Sequence, residues 1–318
     1  MTQTVLILGA TGRFGRQAAL QFQAAGWQVR CFDRARDSLQ TAAAGVQVIV
    51  NAWNPPYPDW AAQVPGLTAS VIAAARQHDA TVIVPGNVYV FGAQTAPGWG
   101  ADAPHRAKNP LGRIRIDMET AYRQSGVRTI LLRAGDYLDT RSSGNWFDKV
   151  MIKSLRRGVF TYPGAPDVPH AWAYLPDLAR ATVALAEQRD RLPVYADIAF
   201  PGYTLSGNQI AGLLDQITPQ PVRLRRMSWW PLHLARPVWK MAACLLEMRY
   251  LWDTPHWLDG TQFDALLPDF PHTPPEKALA AAIGQRSVQS QIDPDQPVAA
   301  GGNGIGLAVT TRGGPEDA

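Results

Sequence analysis

Apolar and polar positions along this chain follow two rhythms. Short, wholly apolar runs such as Thr4-Val-Leu-Ile-Leu8 suit strands buried on both faces of a parallel sheet. Between them, longer stretches repeat their apolar residues every three or four positions, the period of a helix with one buried face. The pattern predicts strands over 4–8, 28–33, 46–51, 81–85, 128–133 and 194–198. It predicts helices over 13–25, 58–78, 112–125, 145–157, 176–188 and 206–216. Alternation of this kind implies an α/β fold, a Rossmann-type doubly wound parallel sheet with helices on both faces. One interval is too short for the full pattern. Only Ala35 to Gly45 separate the second strand from the third, which leaves room for one crossover and no additional strand. The sheet is therefore expected to lack one strand–helix unit, with strand 28–33 at or near an edge.

Past residue 200 the texture changes. Phe200 to Gly207 is a loop leading to a helix that Ser206 is placed to cap. An aromatic, basic stretch follows, from Arg223-Leu-Arg-Arg226 through Trp229, Trp230, Trp239, Trp252 and Trp257, and reads as a small, mainly helical domain. From 285 to 318 there is no aromatic residue and no apolar period, so a disordered tail is expected. The division is then 1–200 for the sheet domain, with 141–170 contributing to a substrate cleft, 201–284 for a lid, and 285–318 for the tail.

Composition narrows the function classes. A chain of 318 residues with 46% hydrophobic content builds a large core, and its net charge of +4 is mild. That balance favours small anionic ligands, and no basic stripe interleaved with aromatics marks a nucleic-acid surface before residue 220. The two cysteines, Cys31 in a strand expected to be buried and Cys244 in a helix, suit a reducing compartment and read as core filler. Met1 leads almost at once into the first strand, with no signal-peptide pattern and no run of 18 apolar residues. A cytoplasmic location is expected.

The first strand runs directly into glycines at 9, 12 and 15, with Ala10, Thr11, Arg13 and Phe14 between them. Such spacing allows a tight turn, a close backbone approach to a pyrophosphate, and a helix whose N-terminus offers unpaired N–H groups to phosphate. Its position after a strand and before a helix is the context a dinucleotide site requires. For the adenosine end the signals compete. Asp33 would accept from a ribose 2′-OH, favouring NAD. Arg34 and Arg13 could pair with a 2′-phosphate, favouring NADP. The balance tilts slightly to NAD.

With these residues assembled, the chain resembles the short-chain dehydrogenase/reductase superfamily, in its extended, atypical NAD-dependent epimerase/dehydratase branch. The resemblance spans 4 to 284 and rests on Gly9 to Gly15, Asn51-Ala52, Asn87-Val-Tyr-Val-Phe-Gly92, Gly112-Arg113 with Glu119, Arg133-Ala-Gly-Asp-Tyr137 and Ala173 to Ala179. It implies an NAD(P)-binding oxidoreductase or epimerase acting on a small carbonyl, hydroxyl or nucleotide-sugar-like compound. The family's chemistry uses a Ser/Thr, and a Tyr and a Lys spaced Tyr-x-x-x-Lys. Matched motif to motif, this chain has Asn87, Leu111 and Arg115 there. Leucine carries no proton, and arginine holds its charge without acting as a tunable acid or base. The resemblance places Arg115 on the nicotinamide ribose and Asn87 near the reacting oxygen. Tyr89, two residues from Asn87 on what reads as a strand, or Tyr137 beside Asp136 at another strand's end, could replace the missing tyrosine. Against that stands the reading of both as packing residues.

Other features carry competing readings. The Pro-rich loop Asn51 to Tyr57 could line a ligand or be a rigid turn. His170 reads as structural before catalytic. Asp177 reads as capping or charging a helix start, and Lys149, Lys153, Arg156 and Arg157 as a solvated helix face before a contact to a substrate phosphate. Tryptophan and arginine over 223–257 suit a membrane surface. Prolines at 231, 237 and 255 interrupt any long amphipathic helix, so packing beside the sheet as a lid is preferred. No metal-ligand spacing occurs. Partners are expected to be a small-molecule substrate and, as an option, a second copy in a homodimer. The alternative function is a catalytically silent dinucleotide-binding sensor or scaffold.

Overall fold

The structure, a computed structural model, describes residues 2–289, with side chains described through 284. In chain order its strands are β1 (Thr4–Leu8), β2 (Gln28–Cys31), β3 (Val48–Asn51), β4 (Thr81–Gly86), β5 (Thr129–Arg133), β6 (Asp136–Leu138), β7 (Val159–Tyr162), β8 (His170–Tyr174), β9 (Tyr195–Ala199), β10 (Tyr203–Leu205) and β11 (Arg223–Arg226). The helices are α1 (Arg13–Ala24), α2 (Leu39–Ala42), α3 (Trp60–His78), α4 (Pro110–Gln124), α5 (Leu175–Glu187), α6 (Gly207–Ile217), α7 (Trp230–Ala235), α8 (Lys240–Glu247), α9 (Thr261–Leu266) and α10 (Pro275–Gln289).

Six strands form a parallel sheet in the order β2-β1-β3-β4-β5-β9. Because successive residues of a strand face opposite sides, each strand supplies two cores. Val5, Ile7, Val48, Val50, Ile130 and Leu132 pack on one side with α1 and α5. Leu6, Leu8, Ile49, Val82 and Val84 pack on the other with α3 and α4. The shortened interval after β2 holds only the four-residue α2, and β2 is the sheet edge. That position corrects one expectation: Cys31 is exposed, since an edge strand has one uncovered side.

A second, mixed sheet of order β10-β8-β6 and a parallel pair β7–β11 surround a third core of Phe147, Phe160, Tyr162, Trp172, Trp229 and Trp252. Two further expectations are corrected here. The helix expected over 145–157 is instead a wide turn at Phe147–Met151 and a single tight turn at Leu155–Arg157. Side chains compete with the helix for its backbone: Asp148 Oδ2 accepts from Ser143 N and Gly144 N, and Asn145 Oδ1 from Asp148 N. Arg223 to Arg226, expected to be helical, pair as β11 with β7. Ser206 caps α6 in a reciprocal arrangement with Gln209. Asp177 is the acidic residue of the first turn of α5, as expected; it makes no capping bond and instead accepts from Thr273 N and Oγ1, both at 2.7 Å, and pairs with Arg180, tying the C-terminal segment to α5. The expected tail lies outside the described residues from 290 onward, while the backbone of 285–289 continues α10.

Candidate active site

The β1–α1 corner is made of backbone. Gly9 has φ +76°, a left-handed conformation that suits glycine, and Gly12 N donates to Gly9 O at 2.9 Å to close the turn. A Cβ on Gly15 would stand 2.2 Å from Gly9 O, so only glycine lets α1 approach the strand this closely. Gly12 is the N-cap of α1 and offers no side-chain acceptor, so the first-turn N–H groups keep their donors for a ligand. Thr11 and Gly12 are exposed, Arg13 half-buried, and Phe14 packs into the core beneath. The corner thus offers first-turn amides and the positive end of a helix dipole, with the Trp53 side chain beside Gly9.

Around it, the predicted residues take definite places. Arg13 donates from Nε to Ser143 O at 2.9 Å and from Nη2 to Gly144 O at 2.7 Å. With Arg16 and Gln17 held by Asp139, α1 fastens the 139–144 segment beside the corner. The guanidinium expected to meet a 2′-phosphate is thus committed to carbonyl oxygens. Asp33 lies past β2, 55% exposed in its side chain, with Oδ1 accepting from Ala35 N at 2.9 Å. Arg34 stands 5.7 Å over the Trp53 ring. Asn51 donates to Tyr122 Oη and accepts from Trp53 N, and Ala52 O faces Gly9.

The other half of the site is made of side chains. Tyr57 and Tyr89 join hydroxyl to hydroxyl at 2.6 Å. Burial raises the pKa of both, Tyr89 well above its usual value, while the Arg115 charge pulls each back. Burial pushes Tyr137 up to about 12, against the nearby charges of Arg115 and Arg13. All three rings are half-buried. Arg115 is buried at 8% exposure, its guanidinium 4.2 Å from the Trp60 ring centre and bonded to Asn54 Oδ1 at 2.8 Å. Its Nε has no partner, and burial lowers its pKa. Leu111 is buried in the core.

Asn87 and Tyr89 do not lie on a strand as expected. β4 ends at Gly86, and Asn87 Oδ1 accepts from Tyr89 N at 3.0 Å in the turn beyond it. Asp136, opening β6, bonds His170 Nε2 at 2.8 Å. His170 is buried and stacks on Trp252 at 4.4 Å, so it serves as wall rather than as an open acid or base. Beneath the site, Arg133 is fully buried and bonds Glu119, Asp197 and Asn87 O. Burial would lower its pKa, but the two carboxylates outweigh that and raise it. His105, Glu119 and Asp197 bring ligand atoms within 4.8 Å of one another, yet Arg133 already supplies the positive charge a metal would bring.

Sequence reasoning missed the Tyr57–Tyr89 pair and the Asn54–Arg115–Trp60 group. Their one signal was position: the 51–57 loop leaves the C-terminal end of a strand, where open α/β sheets bind ligands.

Fold and corner together define a Rossmann-type protein with a dinucleotide-shaped turn. No family model and no curated protein matches the chain. Solved structures do match in fold. MoeE5 in complex with UDP-glucose and NAD superposes with a TM-score of 0.69 at 17% identity, covering 90% of this chain and 99% of that one. A nucleoside-diphosphate-sugar epimerase from Pseudomonas aeruginosa gives 0.69 at 16% identity, covering 92% and 100%. UDP-glucuronic acid 4-epimerase from Bacillus cereus, in complex with UDP-glucuronic acid and NAD, gives 0.67 at 14% identity, covering 90% and 100%. The chain therefore has the fold of NAD-dependent nucleotide-sugar epimerases and dehydratases. No helix among the described residues is long and apolar enough to cross a membrane.

Proposed function

We propose that this chain binds NAD across the β1–α1 corner and carries out oxidoreductase or epimerase-type chemistry on a small carbonyl or hydroxyl compound of the nucleotide-sugar kind. Gly9, Thr11, Gly12, Arg13, Phe14 and Gly15 would hold the pyrophosphate through main-chain amides, Asp33 the adenosine ribose, and Asn51 and Ala52 the floor between them. Arg115 would place its charge by the nicotinamide ribose. Asp33, together with the commitment of Arg13 to Ser143 and Gly144, favours NAD over NADP. Bound NAD supplies a hydride acceptor and donor; this chain supplies position and protons.

The observation that carries the reading is the Tyr57–Tyr89 hydroxyl pair, within the field of the Arg115 charge that also acts on Tyr137. The high pKa of Tyr89 keeps Oη protonated at neutral pH, able to donate to a carbonyl oxygen, and Tyr57 is bonded to it to return the proton. Asn87, its Oδ1 occupied, has an amide N–H₂ to orient the same oxygen. With turnover assayed on UDP-glucose and UDP-glucuronic acid, Tyr89→Phe is expected to cut the rate by about 10²–10⁴-fold and leave NADH affinity unchanged. If Tyr89→Phe and Tyr137→Phe both turn over normally, the tyrosine assignment is dismissed.

One observation favours a second reading, a dinucleotide-binding sensor or scaffold without turnover. Leu111 is core, and Arg115 is pinned by Asn54 and Trp60. Tight NADH binding, followed by quenching of tryptophan emission, with no turnover on a carbonyl and nucleotide-sugar panel would select it.

A further inference from the structure

The Trp/Arg stretch divides in two. Trp229 and Trp252 are buried in the third core, and Trp229 Nε1 donates to Pro163 O at 2.7 Å. Trp230, Leu234, Val238 and Trp239 instead stand 66%, 63%, 89% and 48% exposed along α7 and the turn that joins it to α8. Trp230 and Leu234 are four residues apart on α7 and share a face. Within this stretch, Trp229 and Trp252 are thus packed inward and these four side chains are not.

Along the sequence of this region the charge has one sign, although Asp59 lies on the turn against which α8 packs. Between residues 216 and 246 the chain has no Asp or Glu, while Arg223, Arg225, Arg226, Arg236 and Lys240 are exposed. The flanking acids are engaged: Glu247 Oε1 accepts from Asn109 Nδ2 and Leu111 N, and Asp215 Oδ1 from Val222 N.

We propose that α7 and the α7–α8 turn dock on an anionic lipid bilayer, with Trp230, Leu234, Val238 and Trp239 entering the headgroup boundary and the exposed cations beside them, Arg236 and Lys240 first, meeting lipid phosphates. Interfacial anchoring combines this pairing of amphipathic aromatics and aliphatics with a basic surround. A second copy of the chain fits poorly, because a two-fold contact would set the same cations against themselves. The prolines that rule out a long amphipathic helix do not matter to a short helix and its turn, which insert as a wedge. Since α8 packs against the Tyr57–Asp59 turn, docking would hold the candidate site close to the membrane surface.

The test uses the full chain with vesicles of phosphatidylglycerol and phosphatidylcholine, against phosphatidylcholine alone. Sedimentation and quenching of tryptophan emission by brominated lipids are the readouts. The expected result is binding to anionic vesicles only, reversed by salt as exposed charges are screened. Each cation removed should weaken partition by about fivefold. Arg236→Gln with Lys240→Gln should therefore weaken it by about 25-fold. Trp230→Ser with Trp239→Ser should abolish the quenching, with the circular dichroism spectrum unchanged. Absence of binding by the unaltered chain at low salt overturns the proposal. So does binding indifferent to both double variants, or ultracentrifugation showing that the same residues instead hold two copies together. Retained binding to an acidic polypeptide without binding to vesicles also overturns it, in favour of a protein partner.

Discussion

The β1–α1 corner and the tyrosine group are built from different materials, although the Arg13 charge acts on Tyr57 and Tyr137. The corner is main chain: a left-handed Gly9, a turn closed by Gly12 N, and a third glycine that allows helix and strand to touch. The tyrosine group is side chain throughout, with Tyr57, Tyr89, Arg115 and Tyr137 arriving from four separate stretches. A backbone site needs room, so its requirement is local and appears as glycine spacing. A side-chain site needs its supporting elements held in register, so it depends on the packing of the whole sheet.

Disturbing the support should therefore break the tyrosine group first. Arg133 ties α4 through Glu119, β9 through Asp197, and the Tyr89 turn through Asn87 O. Glu119→Ala leaves a fully buried guanidinium short of its bidentate partner and is expected to cost about 3–5 kcal/mol, read from urea unfolding. Wherever folded protein survives, NADH binding should persist while turnover fails. Loss of both together would show that the two sites are one unit. The converse test is Gly15→Ala, whose methyl meets Gly9 O and forces the corner apart. About 1–3 kcal/mol of stability is expected to go. NADH affinity should fall at least about tenfold by calorimetry, about 1.4 kcal/mol.

The same contrast explains what could be read from the sequence. The βα alternation, the missing strand–helix unit and the placing of β2 at the edge follow from apolar periods and from the length of one interval. Glycines 9, 12 and 15 announce the corner for the local reason given above. The third core was illegible because β7 pairs with β11 and β8 with β10 across long separations that no local period records. At 145–157 the helical spacing was real, but Asn145 and Asp148 bind backbone N–H groups and divert the chain. The tyrosines could be named singly from their strand-end positions; that Tyr57 would meet Tyr89 was not visible.

Acid separates the two regions further. The corner contains no histidine, whereas the wall behind Asp136 stacks His170 on Trp252 and sets His256 at 4.4 Å from His170. Burial, and then the neighbouring His170, lower the His256 pKa to about 3. Between the ordinary histidine value near 6.5 and that value, the unfolded chain binds a proton that the folded chain refuses. Stability thus falls as pH drops through this window, by up to about 1.4 kcal/mol per pH unit from this one group. His256→Phe, which keeps an aromatic ring against Trp99, should flatten that slope by about one proton in unfolding curves taken from pH 6.5 to 4. An unchanged slope would place the acid sensitivity elsewhere.

The smallest effect is expected at the adenosine end of the corner, where the backbone site gives way to a side chain. Loss of a strand–helix unit leaves β2 uncovered, and Asp33 just beyond it is half exposed, with one oxygen already committed to Ala35 N. A carboxylate in that setting is screened by water, and exposed charge interactions are worth about 0–1 kcal/mol. Asp33→Ser should accordingly weaken NADH binding by no more than about fivefold, with a comparable gain for NADPH as the repulsion of its 2′-phosphate disappears. Arg34, lying over Trp53, is the cation positioned to use that gain, and Asp33→Ser with Arg34→Ser should lose it again. Paired titrations with the two reduced cofactors measure both changes. A hundredfold swing on Asp33→Ser alone would mean that bound nucleotide buries this carboxylate, drawing the open edge closed around it.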